Sequence, residues 1–456
     1  MICWESNRKN PEIVALTDLV KIVNLVIGIQ GMKPTTNLPL PYRLISTDAP
    51  APARPERMRA ANVRDLLRLL RRHSPCSRAD LVRLSGLTAP TVSAAIASLE
   101  RRDLVTTLGQ GSSSGGRPPD LLEFNARNGY VVGADIGGSN VRLALADLNG
   151  TVLNRWSSAL RTDSSPKAVT EMMATGIAHM AQQQKAPVKK IIHITAGAPG
   201  ITDAVAGLVL SAPNLSAWQD VPLRDLLQEK TRIAATVEND VNLGALGEGW
   251  RGAAGNVANF IFLAIGTGVG AGIVLNGALH HGANWSAGEV GYMLLPGLAA
   301  DPPSTDHAGA FEKAVGGKGI EQTWLQAQTE QPGSANALRA TDIFDLAASG
   351  DNRARDLLCQ TADRLAMAIT NLSLVLDLSL VVLSGGVGEH RSLLQAIQRR
   401  LERNQFARPQ LVVSSLGGEA QLYGAVWLAL QAAEEQGYRR KTFEPESSSA
   451  VSLAGI

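Results

Sequence analysis

Cysteine is nearly absent from this 456-residue chain, which contains only Cys3, Cys76 and Cys359. The three lie far apart and form no Cys-x-x-Cys pair. The sequence therefore offers neither a disulfide framework nor a cysteine-based zinc knuckle. Isolated thiols fit a reducing compartment, so we expect a cytoplasmic protein.

A long uninterrupted apolar run is also missing. The most apolar stretch near the start, residues 13–29, is broken by Asp18, Lys21 and Asn24. A membrane-spanning helix needs about 20 mostly apolar residues, and a secretory signal needs an unbroken apolar core before a cleavage site. Because neither pattern is present, we expect no membrane partner. We expect residues 1–56 to be a poorly ordered extension that ends in a linker rich in Pro, Thr and Ala.

Lysine is missing from residues 54–117, where twelve arginines supply the positive charge. Five acidic residues accompany them, so the segment carries a net charge of +7, whereas the whole chain carries +2. A compact basic module beside a mildly acidic body indicates a polyanionic partner for the basic part.

The basic segment has the residue spacing of a helix-turn-helix. Leucines recur at helical intervals over 59–73, with arginines on the other face. Ser77 is placed to cap a second helix over 77–85, with Asp80 as its partner in an imperfect capping box. Gly86 marks a turn, and Thr88 is placed to cap a third helix. Helix, short helix, glycine turn and helix together predict a DNA-binding motif, with an ordinary basic bundle as the alternative.

A two-stranded wing is predicted to follow the third helix. Residues 104–108 resemble a strand, residues 109–116 a flexible tip, and residues 119–124 a returning strand. Arg117 stands between glycine and proline, an extended setting from which an arginine can enter a narrow minor groove, with a plain surface turn as the alternative. The recognition helix enters the major groove by its N-terminal end. We therefore predict DNA contacts from Ser77, Arg78, Thr88, Thr91, Ser93 and Arg117.

The remainder of the chain is typical of an α/β protein, in line with its 44 glycines. Apolar strands run into glycine turns within 130–153, 260–275 and 380–389. Such turns expose N–H groups that hold phosphate, and Asp135 at the end of the first strand can hold Mg²⁺ through water. Residues 236–250 read as a strand that ends in Glu238-Asn239-Asp240, then a helix. This arrangement predicts a two-lobed cleft with nucleotide on one side and substrate on the other.

These stretches resemble the ROK family, which groups bacterial sugar repressors and sugar kinases on the actin-like ATPase fold. The matching segments are DIGGSN (135–140), GAPG (197–200), APNLSAW (212–218), ENDVNLGALGE (238–248), IGTGVGAGIV (265–274), AGEVGY (287–292) and SGGVGE (384–389). They follow the family's order from about 130 to 430. The basic module is similar to that of the family's repressors, whereas the family's kinases normally lack it.

The resemblance implies roles for individual residues. Asp240 would be the base that takes a proton from a sugar hydroxyl. The residues that would bind the sugar are Gly200, Asn214, Asn239, Asp240, Glu289, Tyr292 and Glu312. Those that would hold a nucleotide and its Mg²⁺ are Asp135, Gly137, Gly138, Ser139, Thr267, Gly268, Gly385 and Gly386.

The chain departs from the family's kinases at three places. Tyr292 replaces the usual zinc-binding histidine, and residues 293–311 lack the family's cysteines. Asp306 and His307 are too few for Zn²⁺, which needs about four ligands, so we expect no structural zinc. The phosphate turn ends in Ser139-Asn140, where kinases favour Thr-Lys, and this loss of positive charge weakens nucleotide binding. His280 and His281 are assigned to a surface turn rather than to a metal site.

Together these features predict a regulator that binds a double-stranded DNA operator and responds to a sugar or a sugar phosphate. It would be a repressor or less often an activator, and it would work as a homodimer or homotetramer. The alternative is an ATP-dependent sugar kinase with a fused DNA-binding domain, because Asp240 is retained; sugar binding alone also explains that carboxylate. ATP and Mg²⁺ are expected as cofactors only in the kinase case. The predicted domains are a winged helix-turn-helix over 57–125, a first lobe over 128–242, a second lobe over 243–435 and a disordered tail over 437–456. The return of the last helix to the first lobe is an alternative to its place in the second.

Overall fold

The fold is described from a computed structural model that covers residues 55–110, 118–161, 163–212, 215, 218–298, 308–329 and 337–439. Residues 1–54 of the predicted extension lie outside these described residues. So do the wing tip with Arg117, Asn214, residues 299–307 and the tail from residue 440. Within them, no helix is both long enough and apolar enough to span a membrane.

The N-terminal module is a winged helix-turn-helix, as predicted. Its sheet has the strand order β1-β3-β2 and is antiparallel. The elements are α1 (Pro55–His73), β1 (Cys76–Ser77), α2 (Arg78–Ser85), α3 (Ala89–Glu100), β2 (Val105–Gln110) and β3 (Asp120–Phe124).

Local sequence signals fix the ends of the short helices. Ser77 caps α2 through the N–H of Asp80, and the Asp80 carboxylate accepts in return from the N–H of Ser77, so the capping box is complete. Gly86 then takes the left-handed conformation at φ +68° and ends α2. Thr88 occupies the predicted N-cap position of α3, but its side chain makes no capping hydrogen bond, and Pro90 lies in the first turn. The predicted order of helices and turn is confirmed.

The first lobe is built on a mixed five-stranded sheet of order β11-β7-β4-β5-β6. The antiparallel β4–β5 hairpin carries the first glycine turn, and β7 and β11 run parallel to β4. Its elements are β4 (Tyr130–Ile136), β5 (Asn140–Asp147), β6 (Val152–Ala159), α4 (Pro166–Gln183), β7 (Ile191–Ala198), β8 (Ile201–Asp203), β9 (Leu208–Ser211), β10 (Gln219–Val221), α5 (Leu223–Thr231) and β11 (Ala234–Asn239).

The second lobe repeats this plan around a sheet of order β14-β13-β12-β15-β16. The helix α6 (Asp240–Arg251) leads into it from β11. Its elements are β12 (Phe260–Ile265), β13 (Val269–Leu275), β14 (Ala278–Leu279), α7 (Ala310–Val315), α8 (Gly317–Thr329), α9 (Ala340–Ala348), α10 (Asn352–Leu376), β15 (Leu380–Ser384), α11 (Gly385–Gly388), α12 (Arg391–Leu401) and β16 (Gln410–Val413).

The last helix, α13 (Ala420–Glu435), packs on the first-lobe strands β4 and β7 and along α6. Glycines allow the close approach: a Cβ on Gly424 would collide with the carbonyl oxygen of Leu243, and one on Gly247 with that of Ala420. Helix α13 therefore lies directly against the helix that begins at Asp240.

The N-terminal module and the first lobe share one hydrophobic core. Leu66 and Leu70 of α1 and Phe124 of β3 belong to the same buried cluster as Val131 of β4 and Val426 of α13. The module is thus packed onto the lobe rather than tethered beside it. The predicted domain limits, 57–125, 128–242 and 243–435, stay a prediction.

Candidate functional site

The end of β11 and the start of α6 bring three predicted sugar residues together. The side-chain oxygen of Asn239 accepts from the N–H of Asn242 at 2.9 Å and so caps α6. The amide group of Asn239 donates to the carbonyl oxygen of Gly200 at 2.9 Å. Gly200 has φ +80°, and a Cβ there would collide with Ser211. Gly200 therefore lies beside the junction of β11 and α6, which carries Asn239 and Asp240.

Asp240 is the most perturbed carboxyl group of this stretch. Burial of the carboxylate, then the nearby charges of Asp135 and Glu289, raise the pKa of Asp240 to about 8, against the effect of a hydrogen bond from the N–H of Val241 at 2.8 Å. A carboxyl group with this pKa is mostly protonated at neutral pH. In that state it can both donate and accept a hydrogen bond.

Three further predicted sugar residues come from the second lobe. Glu289 precedes a 3₁₀ turn over Val290–Tyr292, Tyr292 ends that turn, and Glu312 lies in the first turn of α7. Burial and then Glu312 raise the pKa of Glu289, and burial followed by Glu289 and Glu312 raises that of Tyr292. The three residues are therefore close enough to interact electrostatically, and the charge of Glu289 also reaches Asp240. Such a group of carboxyl and hydroxyl groups is suited to binding the hydroxyls of a sugar.

The first glycine turn, at Gly137, Gly138 and Ser139, joins β4 to β5, as predicted. Asp135 precedes it and is buried, but it has a cationic partner inside the protein. Arg142 reaches the Asp135 carboxylate with Nη2 at 2.6 Å and Nε at 3.0 Å. Burial raises the pKa of Asp135, and Arg142 opposes that rise. The residues at this position fit an internal ion pair, because the charge that Mg²⁺ would compensate is already met by a guanidinium group.

The second glycine turn, at Thr267 and Gly268, joins β12 to β13. Glu312 approaches it: the carboxylate accepts from the N–H of Val269 at 3.0 Å, and a Cβ on Gly268 would lie 2.9 Å from the Glu312 Oε2 atom. A carboxylate in this position opposes phosphate oxygens, which carry the same charge. The turn is thus suited to a neutral hydroxyl group at this point.

The third glycine turn, at Gly385 and Gly386, begins α11 directly after β15. Gly385 has φ +81°, and a Cβ there would lie 2.5 Å from the carbonyl oxygen of Ile265, whereas the space at Gly386 is open. The structure therefore places all three predicted turns, while their binding of nucleotide stays a prediction.

Within the described ranges, no group of three or more His, Cys, Asp or Glu residues is arranged to hold a metal ion. Asp306 and His307, which the sequence analysis considered for zinc, lie outside those ranges.

Of the predicted DNA-contacting residues that the structure describes, Thr88, Thr91 and Ser93 lie at the start of α3, whereas Ser77 and Arg78 lie at the start of α2. Thr88 and Thr91 bond to each other through their hydroxyl groups at 2.9 Å, and Ser93 is exposed on the outer face of α3. Arg78 is only half-exposed and pairs with Glu100 at 2.8 Å, and Ser77 is buried in the capping box. Direct contact with DNA is therefore geometrically simplest for Thr88, Thr91 and Ser93.

Arg142 was missed by the sequence analysis, although a signal was present. In this antiparallel hairpin Ile136 pairs with Val141, so Asp135 and Arg142 are directly opposite each other. An arginine paired across the strands with a buried aspartate is a candidate ion pair.

Comparison with known proteins identifies the families whose sequences match this chain. The sequence model of the ROK family matches residues 131–432, and that of the MarR family matches residues 61–117. The chain is 30% identical to the xylose repressor of Bacillus subtilis over 372 residues, 80% of this chain and 94% of the repressor. It is also 30% identical to the glucokinase of Halalkalibacterium halodurans over 317 residues, 66% of this chain and 95% of the kinase.

A solved structure described as a ROK family transcriptional regulator, homolog of the E. coli MLC protein, has the same fold. It superimposes with a TM-score of 0.69 at 23% sequence identity and covers 82% of this chain and 96% of its own. The similarity to the repressor and to this structure extends over more of the chain than residues 131–432, so it includes the N-terminal module.

Proposed function

The chain belongs to the ROK family, and on that premise we propose that it is a sugar-responsive repressor of genes for carbohydrate metabolism. It binds an operator in double-stranded DNA through α3 and the wing, and a sugar bound in the cleft changes its affinity for that operator. Such a regulator acts in the cytoplasm, where the DNA is accessible.

One observation carries the proposal: a DNA-binding module shares a hydrophobic core with the lobe that carries part of the sugar-type cleft. The xylose repressor matches both parts together, whereas the glucokinase match is shorter by an amount similar to the module. Both the fold and the relatives therefore support a function that uses DNA and sugar in one chain.

The chemistry of the cleft supports binding over phosphoryl transfer. Glu312 lies against the Thr267-Gly268 turn, and Arg142 pairs with Asp135. Each of these contacts favours hydroxyl groups over phosphate and Mg²⁺. ATP and Mg²⁺ would be needed only if kinase activity survives, with Asp135 and the glycine turns as the residues that hold them.

The oligomer is part of the proposal. Two modules related by a two-fold axis would read a pseudo-palindromic operator with half-sites about one helical turn apart. We propose a homodimer or a homotetramer, and analytical ultracentrifugation of the purified protein measures which one forms.

The proposal is tested by operator selection. Purified protein selects duplexes from a random pool, and fluorescence anisotropy then measures its affinity for the selected duplex and for a scrambled duplex at fixed salt. D-xylose, D-glucose and N-acetyl-D-glucosamine are added in turn. We expect at least one of them to change the affinity for the selected duplex about tenfold or more, a coupling of about 1.4 kcal/mol. No preference over the scrambled duplex under any condition would contradict the proposal.

The kinase alternative has its own assay. ADP release is followed with ATP, Mg²⁺ and the same sugars, with Asp240→Asn as the matched control. Turnover in the wild-type protein that disappears in this variant would support the alternative, and turnover that persists would show a contaminating kinase.

A further inference from the structure

Glu238 is a buried carboxylate whose side chain is only 4% exposed, and it lies immediately before Asn239 and Asp240. Its Oε1 atom accepts from the N–H of Asn239 and from the side-chain amide of Asn242, both at 2.9 Å. Both donors belong to the first turn of α6 or its cap. The position of the Glu238 carboxylate therefore determines where the cap residue Asn239 lies.

The other oxygen of Glu238 faces the second lobe. The His281 Nε2 atom donates to Glu238 Oε2 at 2.8 Å. His281 follows β14, so this contact joins the last residues of the first-lobe strand β11 to a turn of the second lobe. The turn was assigned to the surface from sequence, but it reaches this buried carboxylate. A buried carboxylate needs such a donor, since an unsatisfied charge costs more than an ordinary lost hydrogen bond.

His281 also contacts the segment that leads to Glu289. Its ring packs edge-on against the indole ring of Trp285, with the ring centroids 5.0 Å apart. Trp285 has φ +61°, a left-handed conformation that is unfavourable for a bulky residue and persists only where neighbours hold it. Four residues later stands Glu289, whose charge reaches Asp240. His281 thus touches Glu238, which directly precedes Asn239 and Asp240, and also the segment that leads to Glu289.

We infer that His281 is a positioning residue of the sugar cleft: through Glu238 it fixes Asn239 at the start of α6, and through Trp285 it fixes the segment that carries Glu289. This assignment rests on the proposed sugar-binding function and adds a residue to it. His281 does not touch the sugar. It aligns the two halves of the cleft, and its loss weakens sugar binding while leaving the fold intact.

The test compares three variants by isothermal titration calorimetry with D-xylose and with D-glucose. His281→Leu keeps apolar bulk beside Trp285 but cannot donate to Glu238, whereas His281→Gln restores a donor near the position of Nε2. His280→Leu, at the adjacent histidine of the same turn, is the matched control. If His281→Leu is insoluble, His281→Ala replaces it with the same expectations.

We expect the leucine variant to bind the sugar about tenfold more weakly, since its Glu238 carboxylate loses one hydrogen bond. The glutamine variant should recover to within about threefold of wild type, and the control should be unchanged. If His281 had a purely structural role, His281→Leu would lower the midpoint of thermal unfolding, and His281→Gln would not recover the affinity for the sugar. Equal affinity in wild type and His281→Leu, or no recovery in His281→Gln, would overturn the assignment alone. Absence of binding by the wild-type protein to every sugar tested would overturn the proposed function and the assignment with it.

Discussion

Glu434 near the end of α13 and Arg68 in α1 form an ion pair at 2.6 Å, although 366 residues separate them in the sequence. Arg71, one turn further along α1, lies 3.7 Å from the same carboxylate and donates to the Tyr438 hydroxyl group at 3.0 Å. The Glu434 side chain is only 6% exposed. A single buried carboxylate of the last helix therefore pairs with two arginines of the DNA-binding module.

Replacing Glu434 with alanine is expected to lower the free energy of unfolding by about 2 kcal/mol, because Arg71 then loses its partly buried partner while the more exposed Arg68 is largely rehydrated. Urea denaturation measures the change. Glu435→Ala is the matched control, since Glu435 is exposed on the same helix and its loss should cost less than about 0.5 kcal/mol. Equal destabilisation by the two variants would show that the Glu434 pair is worth no more than a surface charge.

Arg142→Gln is expected to destabilise the protein by about 3 kcal/mol, because Asp135 is buried and loses its cationic partner. Arg155→Gln serves as the control: Arg155 pairs at 2.8 Å with Glu419, and both side chains are well exposed, so its loss should cost about 1 kcal/mol or less. Chemical denaturation at pH 7 gives both values. An Arg142 variant as stable as the Arg155 variant would mean that solvent reaches Asp135.

The raised pKa of Asp240 predicts a pH dependence of stability. In the folded protein this pKa is about 8 and in the unfolded chain about 3.8, so between these values the folded state holds a proton that the unfolded state has lost. The contribution of Asp240 is therefore fully present below pH 4 and is lost as pH rises towards 8, by at most about 1.4 kcal/mol per pH unit.

Asp240→Asn removes this dependence, because its amide does not ionise. Thermal unfolding without sugar, followed from pH 5 to pH 9, should show the variant gaining on the wild-type protein as pH rises, with the gap levelling off above pH 8. Parallel profiles for the two proteins would mean that Asp240 is ionised in the folded state at neutral pH.

Ser93→Glu is expected to weaken operator binding about tenfold or more, because Ser93 is exposed on α3 and a carboxylate there faces the phosphates of the duplex. Gln184→Glu adds the same charge at an exposed position of the body and should leave the affinity within about twofold of wild type. Anisotropy at one fixed salt concentration compares the two. Sugar binding is expected to be the same in both variants, and equal DNA affinity would exclude this face of α3 from the interface.

Much of the fold could be predicted from local signals. Ser77 with Asp80, Gly86 and Pro90 each fix one helix end through contacts within a few residues, so the helix-turn-helix was recognisable from the sequence. The glycine turns were recognisable for the same reason, because a tight turn between apolar strands is a short-range feature. The resemblance to the ROK family then ordered these pieces into two lobes.

Contacts between distant segments could not be predicted in this way. The sequence assigns His281 to a surface turn, because nothing in the residues around it indicates a contact with Glu238, which lies 43 residues earlier. Glu434 resembles an ordinary charged position near a helix end, and only the packing of α13 on the first lobe brings it to Arg68. The pKa of Asp240 is likewise raised first by burial and then by the charges of Asp135 and Glu289, which are distant from it in sequence.

The core shared by the DNA-binding module and α13 has a consequence at the level of the gene. Leu422, Val426 and Leu430 form part of the wall against which Leu66 and Leu70 are buried, although their codons lie far downstream in the gene. A premature stop codon around position 420 would leave the DNA-reading helices intact in sequence but remove part of their apolar support. Nonsense mutations at such positions should therefore produce the same derepressed phenotype as lesions in the recognition helix itself.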